Sequence, residues 1–299
     1  MNKIGAVLNK NSGTLTQDQK SERINIIRKY LLGRVAPECL AVVQGSEIMR
    51  QMKYMVHEQS VDILIAGGGD GTISAAANVL AETNTALMVL PLGTKNNFAA
   101  DLGISADPLK ILSALEHEPN IEVVDTGMVN GHRFVNNATI GVYPKLVRER
   151  EEKSKEMGWQ KWRAKIVASL IVLQRLPLMR VTVESKDFRT ELFTPFLFVG
   201  NNEYMETLDK GYTRSKLNRG KLWLCMLKSP RLWSLYAMAF ELSLRGVREA
   251  EKLDTRLLEK VTVNPRRNTV TIAVDGENMR MNSPLQFEIR KKSLRVITG

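Results

Sequence analysis

The chain has 299 residues, of which 43% are hydrophobic and 25% charged, a composition typical of a globular protein with enough apolar material for two domains. It contains no run of about 18 apolar residues that would predict a membrane span, and its N-terminus lacks the apolar core of a signal peptide. The net charge of +11, from 43 basic and 32 acidic residues, favours an anionic partner: a nucleotide, a nucleic acid or an acidic membrane surface.

The two cysteines, Cys39 and Cys225, both lie in apolar sequence without a Cys-x-x-Cys spacing. This pattern argues against zinc and redox sites and predicts buried thiols in a reducing, cytoplasmic environment. The three histidines are scattered without metal-ligand spacing, so we expect them at the surface.

Strands and helices are predicted to alternate over the first 120 residues. Apolar runs predict strands within 3–9, 38–45, 61–71 and 85–94. Apolar residues at helical spacing predict helices over 17–33, 46–60 and 72–83 and from 96 onward, with Ser46 as the N-cap of the second. Strands that are apolar almost throughout are typical of a parallel sheet covered on both faces.

The pattern changes near residue 121 to antiparallel strands, beginning with a hairpin whose turn is Asn130-Gly131. Two stretches interrupt this β-rich half, 145–180 and 229–246, and both are predicted to form amphipathic helices. The first carries ten basic and four acidic residues together with Trp159 and Trp162.

Four glycines, Gly67, Gly68, Gly69 and Gly71, join a predicted strand to a predicted helix. Glycines let the backbone approach a ligand closely, and the following helix directs its positive end to the same place, so this loop predicts a phosphate site. The alternative is a tight turn without a ligand. The spacing fits neither the Rossmann nor the Walker motif.

Asp70 lies among these glycines, where a carboxylate would repel phosphates unless a cation such as Mg²⁺ lay between them. The alternative is a turn aspartate that bonds its own backbone. After the next strand, Gly93, Thr94 and Asn96 offer further donors to phosphate or ribose. Ligands of parallel sheets bind beyond the carboxyl ends of the strands, so both loops should open on one crevice.

The segments GGGDGT (67–72) and PLGTKNNFAADLGI (91–104) together resemble the diacylglycerol kinase catalytic family, which includes sphingosine kinases, ceramide kinases and bacterial lipid kinases. Three further segments resemble family motifs in the same order: VLNKNSG (7–13), FVGNNEY (198–204) and AVDGENM (273–279). The resemblance extends over nearly the whole chain.

The resemblance implies an N-terminal α/β domain with a parallel sheet over 1–122 and a C-terminal antiparallel β-sandwich over 123–289. Residues 290–299 would return to the first domain, and a nucleotide cleft would lie between the two. It implies that ATP contacts Asn9, Ser12, Gly13, Gln44, Gly68, Gly69, Asp70, Gly71, Thr72, Gly93, Thr94 and Asn96.

A lipid hydroxyl is a poor nucleophile, and a carboxylate within hydrogen-bond reach can take its proton as it attacks the γ-phosphorus. By resemblance, this base is Asp275 or Glu277 in VDGE (274–277), with Asp70 as a third catalytic candidate. On a strand, residues two apart share a face, so both carboxylates can reach the cleft. The alternative for this segment is an Asp-Gly hairpin turn.

Besides Lys10, which replaces a proline in the first loop, the chain departs from the family at three positions: Asn97 where an Asp is usual, Ala75 where a Glu is usual, and Arg219 in place of the acid of an Asp-Gly pair. That acid helps to form a structural magnesium site in some bacterial members. A cation would meet Arg219 here, so we expect no structural metal. Mg²⁺ arriving with ATP is a separate cofactor that Asp70 can still assist.

A lipid substrate stays in the bilayer, so we expect a cytoplasmic protein that associates peripherally with membranes. The predicted helix within 145–180, with Trp159, Trp162 and many basic residues, suits an interface with anionic lipids. The alternative is a helix packed on the sandwich. No nucleic-acid motif occurs, so nucleic acid is not an expected partner.

The leading hypothesis is an ATP-dependent kinase of a neutral lipid such as diacylglycerol, ceramide or a related lipid. A kinase of a soluble acceptor, as in the related NAD kinases, is a second hypothesis. The third is a non-catalytic, nucleotide-binding membrane regulator, motivated by Asn97, Ala75 and Arg219. The sequence does not select one lipid, one nucleotide or one oligomeric state.

Overall fold

A computed structural model describes residues 2–141, 178–207, 211–214, 216–227 and 253–298. The predicted amphipathic helices within 145–180 and 229–246 lie outside these residues, apart from 178–180. In the described parts of the chain, no helix is long and apolar enough to cross a bilayer.

The first part of the chain alternates strands with helices. In chain order the elements are β1 (Ile4–Asn9), α1 (Gln17–Leu31), β2 (Leu40–Val43), α2 (Glu47–Lys53), β3 (Ile63–Gly68), α3 (Asp70–Leu80), β4 (Ala86–Pro91), α4 (Asn97–Asp101) and α5 (Pro108–Leu112). The four strands pair in parallel in the order β2-β1-β3-β4. Every residue of β3 and β4 is buried, which confirms the predicted parallel sheet with both faces covered.

One predicted helix cap is absent from the structure, and another helix has a cap that the sequence analysis did not name. Ser46 was predicted to cap α2, but it has helical backbone angles and its side chain makes no capping bond, so this prediction is wrong. Thr16 instead forms a capping box with Gln19 at the start of α1: each side chain accepts the other residue's backbone N–H.

The second part of the chain is built from strands. These are β5 (Ile121–Val129), β6 (His132–Phe134), β7 (Asn137–Ile140), β8 (Met179–Glu184), β9 (Arg189–Thr194), β10 (Leu197–Asn201), β11 (Met205–Thr207), β12 (Gly211–Thr213), β13 (Leu222–Leu227), β14 (Leu253–Leu258), β15 (Lys260–Pro265), β16 (Thr269–Val274), β17 (Glu277–Asn282) and β18 (Leu285–Ile297). The predicted hairpin is confirmed: β5 and β6 pair antiparallel, and Asn130 and Gly131 both have positive φ.

Two sheets face each other in this part of the chain. A six-stranded antiparallel sheet has the order β14-β13-β10-β7-β16-β17. The other sheet contributes β18, β15, β8 and β9, with β5 beside β18 and β6 beside β5. One core contains buried side chains of both sheets, including Val199, Leu224, Ile272, Val183, Val263 and Phe287. This arrangement confirms the predicted antiparallel sandwich.

Strand β18 is shared by both parts of the molecule. Its first half pairs antiparallel with β15 and β5. After an irregularity between Arg290 and Leu294, its last residues, Val296 and Ile297, pair in parallel with β4. A single ten-stranded sheet therefore runs through both parts.

Replacing Leu294 with Ala tests how much β18 contributes to stability. Leu294 is 1% exposed and packs in the core of the first part, so Leu294→Ala should lower the free energy of unfolding by about 2–5 kcal/mol in urea titrations. The matched control, Leu257→Ala on β14, removes a side chain that is 44% exposed and should cost less than about 1 kcal/mol. Equal losses would contradict a central role for β18.

Candidate active site

Three loops meet beyond the carboxyl ends of β1, β3 and β4, because parallel strands end at the same edge of a sheet. Asn9 ends β1, and its Nδ2 donates to Oγ1 of Thr72, 3.0 Å away, at the start of α3. Gly13 has φ +78°, and a Cβ there would lie 2.7 Å from the carbonyl oxygen of Leu92. The first loop is therefore in contact with both of the others.

The two glycine loops touch backbone to backbone. A Cβ added to Gly93 would lie 2.4 Å from Cα of Gly69, and one added to Gly68 would lie 2.3 Å from Oγ1 of Thr72. No side chain fits at these positions without moving a neighbour. Gly69 is also the N-cap of α3, whose eleven residues direct their positive end at this loop.

The second loop is folded by Asn96, which has φ +50°. Its Oδ1 accepts the N–H of Gly93 at 3.0 Å, and its Nδ2 donates to the Gly93 carbonyl at 2.9 Å. The amide predicted to contact phosphate is thus engaged within its own loop. Thr94, at the tip of the loop, is exposed.

The first loop has a basic side. Gln44 lies against it, since its Oε1 accepts a bond from Nδ2 of Asn11 at 2.7 Å. Ser12 lines a small depression together with Asn9 and three cationic side chains: Lys10, Lys20 and Arg23. The depression thus combines uncharged donors with positive charge, the environment that a polyphosphate requires.

The carboxylate of Asp70 joins the two glycine loops. Its Oδ1 accepts the N–H of Phe98 at 3.4 Å, and it faces the N–H of Asn97 and the side chain of Asn136, which lower its pKa. Burial raises the pKa of Asp70, against the opposing effect of these groups and of Arg214. Asp70 therefore caps the start of α4, so part of its hydrogen-bonding capacity is used within the protein.

Asp275 and Glu277 do not share one face of a strand, so the alternation argument for this segment is wrong. Asp275 and Gly276 form the two-residue turn between β16 and β17, with φ +47° and +87°. Val274 pairs with Glu277 across this turn. An Asp-Gly pair adopts positive φ readily, which is why the chain reverses here instead of continuing as a strand.

The Asp275 carboxylate points inward and accepts main-chain bonds from three consecutive residues. Its Oδ2 accepts the N–H of Val135 at 2.9 Å, and its Oδ1 accepts those of Asn136 and Asn137 at 2.8 and 3.1 Å. The nearby hydroxyl of Ser74 on α3 also lowers the pKa of this carboxylate. Burial raises the pKa of Asp275, while these bonds oppose the rise. A carboxylate has about four acceptor sites, so little capacity is left for a substrate.

Glu277 is exposed and faces the glycine loop. Its Oε1 lies 3.3 Å from the position of a Cβ built on Gly71. In the described part of the chain, its side chain has no hydrogen-bond or ion-pair partner. Segments about 200 residues apart in sequence are thus brought together: the loop at 67–72 and the turn at 275–277.

The three departures from the family pattern do not create a metal site. Arg219 pairs with Glu203 at 2.8 Å, and its N–H donates to Oδ1 of Asn202 at 2.9 Å. A guanidinium here excludes a second cation. Across the described ranges, no group of three or more His, Cys, Asp or Glu side chains is arranged to hold a metal. These residues do not fit a structural magnesium ion.

The sequence analysis did not identify two residues that lie beside the site, Asn136 and Arg214. Asn136 is 3% exposed and Arg214 is 1% exposed. Arg214 follows a short hairpin in a polar stretch of the chain, and nothing in that stretch indicates burial. The order of motifs also gave no signal that Asn136 contacts Asp70.

The Asp275 carboxylate is bonded to the main chain and the Glu277 carboxylate is exposed, so we expect their substitutions to have different effects on stability. Asp275→Asn leaves one oxygen to serve three main-chain N–H groups, so it should lower the free energy of unfolding by about 1–3 kcal/mol. Glu277→Gln should change it by no more than about 0.5 kcal/mol. Chemical denaturation of both variants measures this, and equal stabilities would contradict a structural role for the Asp275 carboxylate.

The chain is similar to known lipid kinases in sequence and in fold. Residues 3–129 match the family described as "Diacylglycerol kinase catalytic domain". The chain is 33% identical over 193 residues to "Diacylglycerol kinase" of Bacillus subtilis (strain 168), and 40% identical over 96 residues to "Probable lipid kinase YegS-like" of Pseudomonas aeruginosa (strain UCBPP-PA14). The aligned parts cover 62% and 31% of this chain, and 61% and 31% of those proteins.

A solved structure shares the overall fold. A putative diacylglycerol kinase from Bacillus anthracis str. Sterne superposes with a TM-score of 0.73 at 21% identity, covering 99% of this chain and 97% of that one. At this identity the likeness concerns the fold. The chain is therefore similar to this structure in fold, and its residues 3–129 are similar to the diacylglycerol kinase catalytic domain.

Proposed function

We propose that this protein transfers the γ-phosphoryl group of ATP to the hydroxyl of a neutral lipid, such as diacylglycerol, ceramide or a related lipid. The observation that carries the proposal is the position of Glu277. Its exposed carboxylate faces Gly71 in the glycine loop, 3.3 Å from the Cβ position there. A proton acceptor and a phosphate cradle are thereby adjacent.

The loops at the ends of β1, β3 and β4 are suited to the triphosphate. A Cβ built on Gly69 would meet only the backbone of Gly93, so no side chain covers that position, and the N-terminus of α3 favours negative charge. The basic depression beside Asn9 and Ser12 adds attraction for an anion. Mg²⁺ bound to the phosphates would neutralise charge there, with Asp70 as the nearest carboxylate in the loop.

In this mechanism Glu277 is the general base. Its carboxylate takes the proton of the lipid hydroxyl as that oxygen bonds to the γ-phosphorus, while the bond from the γ-phosphorus to the β,γ-bridging oxygen breaks and ADP leaves. Asp275 does not take part in proton transfer because its acceptor sites are occupied. It instead fixes the turn that carries Glu277.

A lipid acceptor is favoured over a soluble one by the names of the relatives, "Diacylglycerol kinase" and "Probable lipid kinase YegS-like". Glu277 favours an active enzyme over a non-catalytic regulator. Its exposed carboxylate lies beside the glycine loop and, in the described part of the chain, has no partner that would give it a structural role. The substitutions at Ala75, Asn97 and Arg219 leave both features in place.

Glu277→Gln tests the proposal directly. With ATP, Mg²⁺ and dispersed diacylglycerol or ceramide, the wild type should produce a phosphorylated lipid, and the variant should lose about 10²–10⁴-fold in kcat. Glu22→Gln, an exposed position on α1, is the matched control and should retain full activity. Transfer to NAD but not to lipids would favour the soluble-acceptor hypothesis, and wild-type turnover by Glu277→Gln would contradict the assigned base.

We further propose that an exposed basic cluster contacts an anionic membrane. The predicted helix within 145–180 lies outside the described residues, whereas this cluster lies within them and consists of Lys216, Arg219, Lys221, Arg290, Lys291 and Lys292. Its two segments are joined by Asp125, which accepts the N–H of Gly220 at 2.6 Å and of Lys292 at 2.8 Å.

Acidic neighbours neutralise only part of this cluster. Glu259 pairs with both Lys221 and Lys291, at 3.1 and 2.9 Å. Glu203 pairs with Arg219, and Glu288 pairs with Arg290. Exposed ion pairs of this kind contribute little energy. Six cations beside four carboxylates, namely Glu203, Glu259, Glu288 and the buried Asp125, leave a local excess of positive charge, which anionic headgroups would complement.

Vesicle sedimentation tests this membrane contact. The double variant Lys216→Gln/Lys292→Gln should bind phosphatidylglycerol-containing vesicles roughly 25-fold more weakly at low salt, since each lysine near an anionic surface contributes about 1 kcal/mol. The control, Lys29→Gln/Lys53→Gln, removes equal charge from exposed positions on α1 and α2 and should bind as the wild type does. Equal weakening in both double variants would contradict a localised contact.

A further inference from the structure

The guanidinium of Arg214 is fully enclosed, and each of its three nitrogens donates at least one hydrogen bond. Its Nε donates to Oδ2 of Asp101 at 2.7 Å, and its backbone N–H donates to the other oxygen of that carboxylate at 3.1 Å. Nη1 donates to the carbonyls of Val135 and Asn201, at 2.5 and 3.1 Å, and Nη2 donates to Oδ1 of Asn136 at 2.7 Å. A charge buried this deeply persists only with such a set of acceptors.

Arg214 determines which way the Asn136 amide faces. A guanidinium has donors and no acceptor, so the amide atom it meets must be the oxygen, and Nδ2 must point the other way. There the amide faces the carboxylate of Asp70, whose pKa it helps to lower. The backbone N–H of Asn136 donates to Oδ1 of Asp275 at 2.8 Å. Asn136 thus contacts both Asp70 and Asp275.

We propose that Arg214 is a positioning residue for the phosphoryl transfer. It locks Asn136, and Asn136 sets the spacing between the glycine loop, through Asp70, and the turn that carries Glu277, through Asp275. Arg214 touches no reacting atom. The inference rests on the proposed kinase function, because the spacing matters only if Glu277 must meet an acceptor beside the γ-phosphate.

Two conservative substitutions separate positioning from simple stabilisation. Arg214→Lys retains a charge that can pair with Asp101 but loses the planar fork that reaches Asn136. Asn136→Asp retains an acceptor for Arg214 and the backbone N–H, but it replaces the amide group that faces Asp70 with an oxygen. Each should lower kcat by about 10–100-fold, as expected for misplacement by about 1 Å, with KM for ATP changed less than about 3-fold.

The double variant tests whether the two residues act in series. If Arg214 acts through Asn136, the combined loss in kcat should be close to the larger single loss, whereas independent effects would multiply. Arg180→Lys, in an ion pair with Glu191 on the surface of the sandwich, is the matched control and should behave as wild type. Multiplied losses, unchanged kcat in either single variant, or a change confined to KM would overturn the proposal.

A second readout does not depend on activity. Asp70 accepts the N–H of Phe98 and faces that of Asn97, and Asp275 accepts the N–H groups of residues 135–137. Arg214→Lys should speed amide hydrogen exchange in both segments, and Asn136→Asp should speed it at residues 97–98. If the wild type transfers no phosphate, the proposed kinase function fails. Hydrogen exchange still tests whether Arg214 and Asn136 position the two segments, and unchanged exchange in both segments would overturn that role.

Discussion

The three main-chain hydrogen bonds to the Asp275 carboxylate are the constraint on which the site depends. They attach a turn near the end of the chain to residues 135–137, where the chain passes from β6 to β7. Burial disfavours the charged carboxylate and raises its pKa, so the bonds compensate for a cost that would otherwise exclude an acid here. Because Glu277 follows the turn, fixing Asp275 also fixes where Glu277 lies.

The shared sheet supports this attachment over a longer range. Strand β18 pairs with β15 and β5 in the sandwich and with β4 beside the glycine loops. The loops at the ends of β3 and β4 and the sandwich are therefore built on one continuous hydrogen-bonded surface. Buried Arg214, bonded to Asp101 of α4 and to Asn201 of β10, adds a second connection close to the site.

The parts that could be predicted from sequence are those governed by local chemistry. Apolar runs followed by glycines predicted the parallel strands and their loops, and Asn130-Gly131 predicted a hairpin. The same chemistry applies at Asp275-Gly276, where the hairpin turn stated as the alternative is correct and the alternation of a strand is wrong, because two residues with positive φ reverse the chain. Asp70 was considered as a ligand for Mg²⁺, whereas its carboxylate mainly caps α4. The roles of Arg214 and Asn136 depend on partners up to about 140 residues away, which no local pattern encodes.

A structure of the protein with Mg²⁺ and a non-hydrolysable ATP analogue would test the central claim most directly. The account predicts that the triphosphate lies between the loops at 67–72 and 91–96, with the Glu277 carboxylate on the side of the γ-phosphate and Asp275 still bonded to residues 135–137. The account would be contradicted by a nucleotide bound away from these loops. It would also be contradicted by a γ-phosphate too far from Glu277 for one acceptor hydroxyl to contact both.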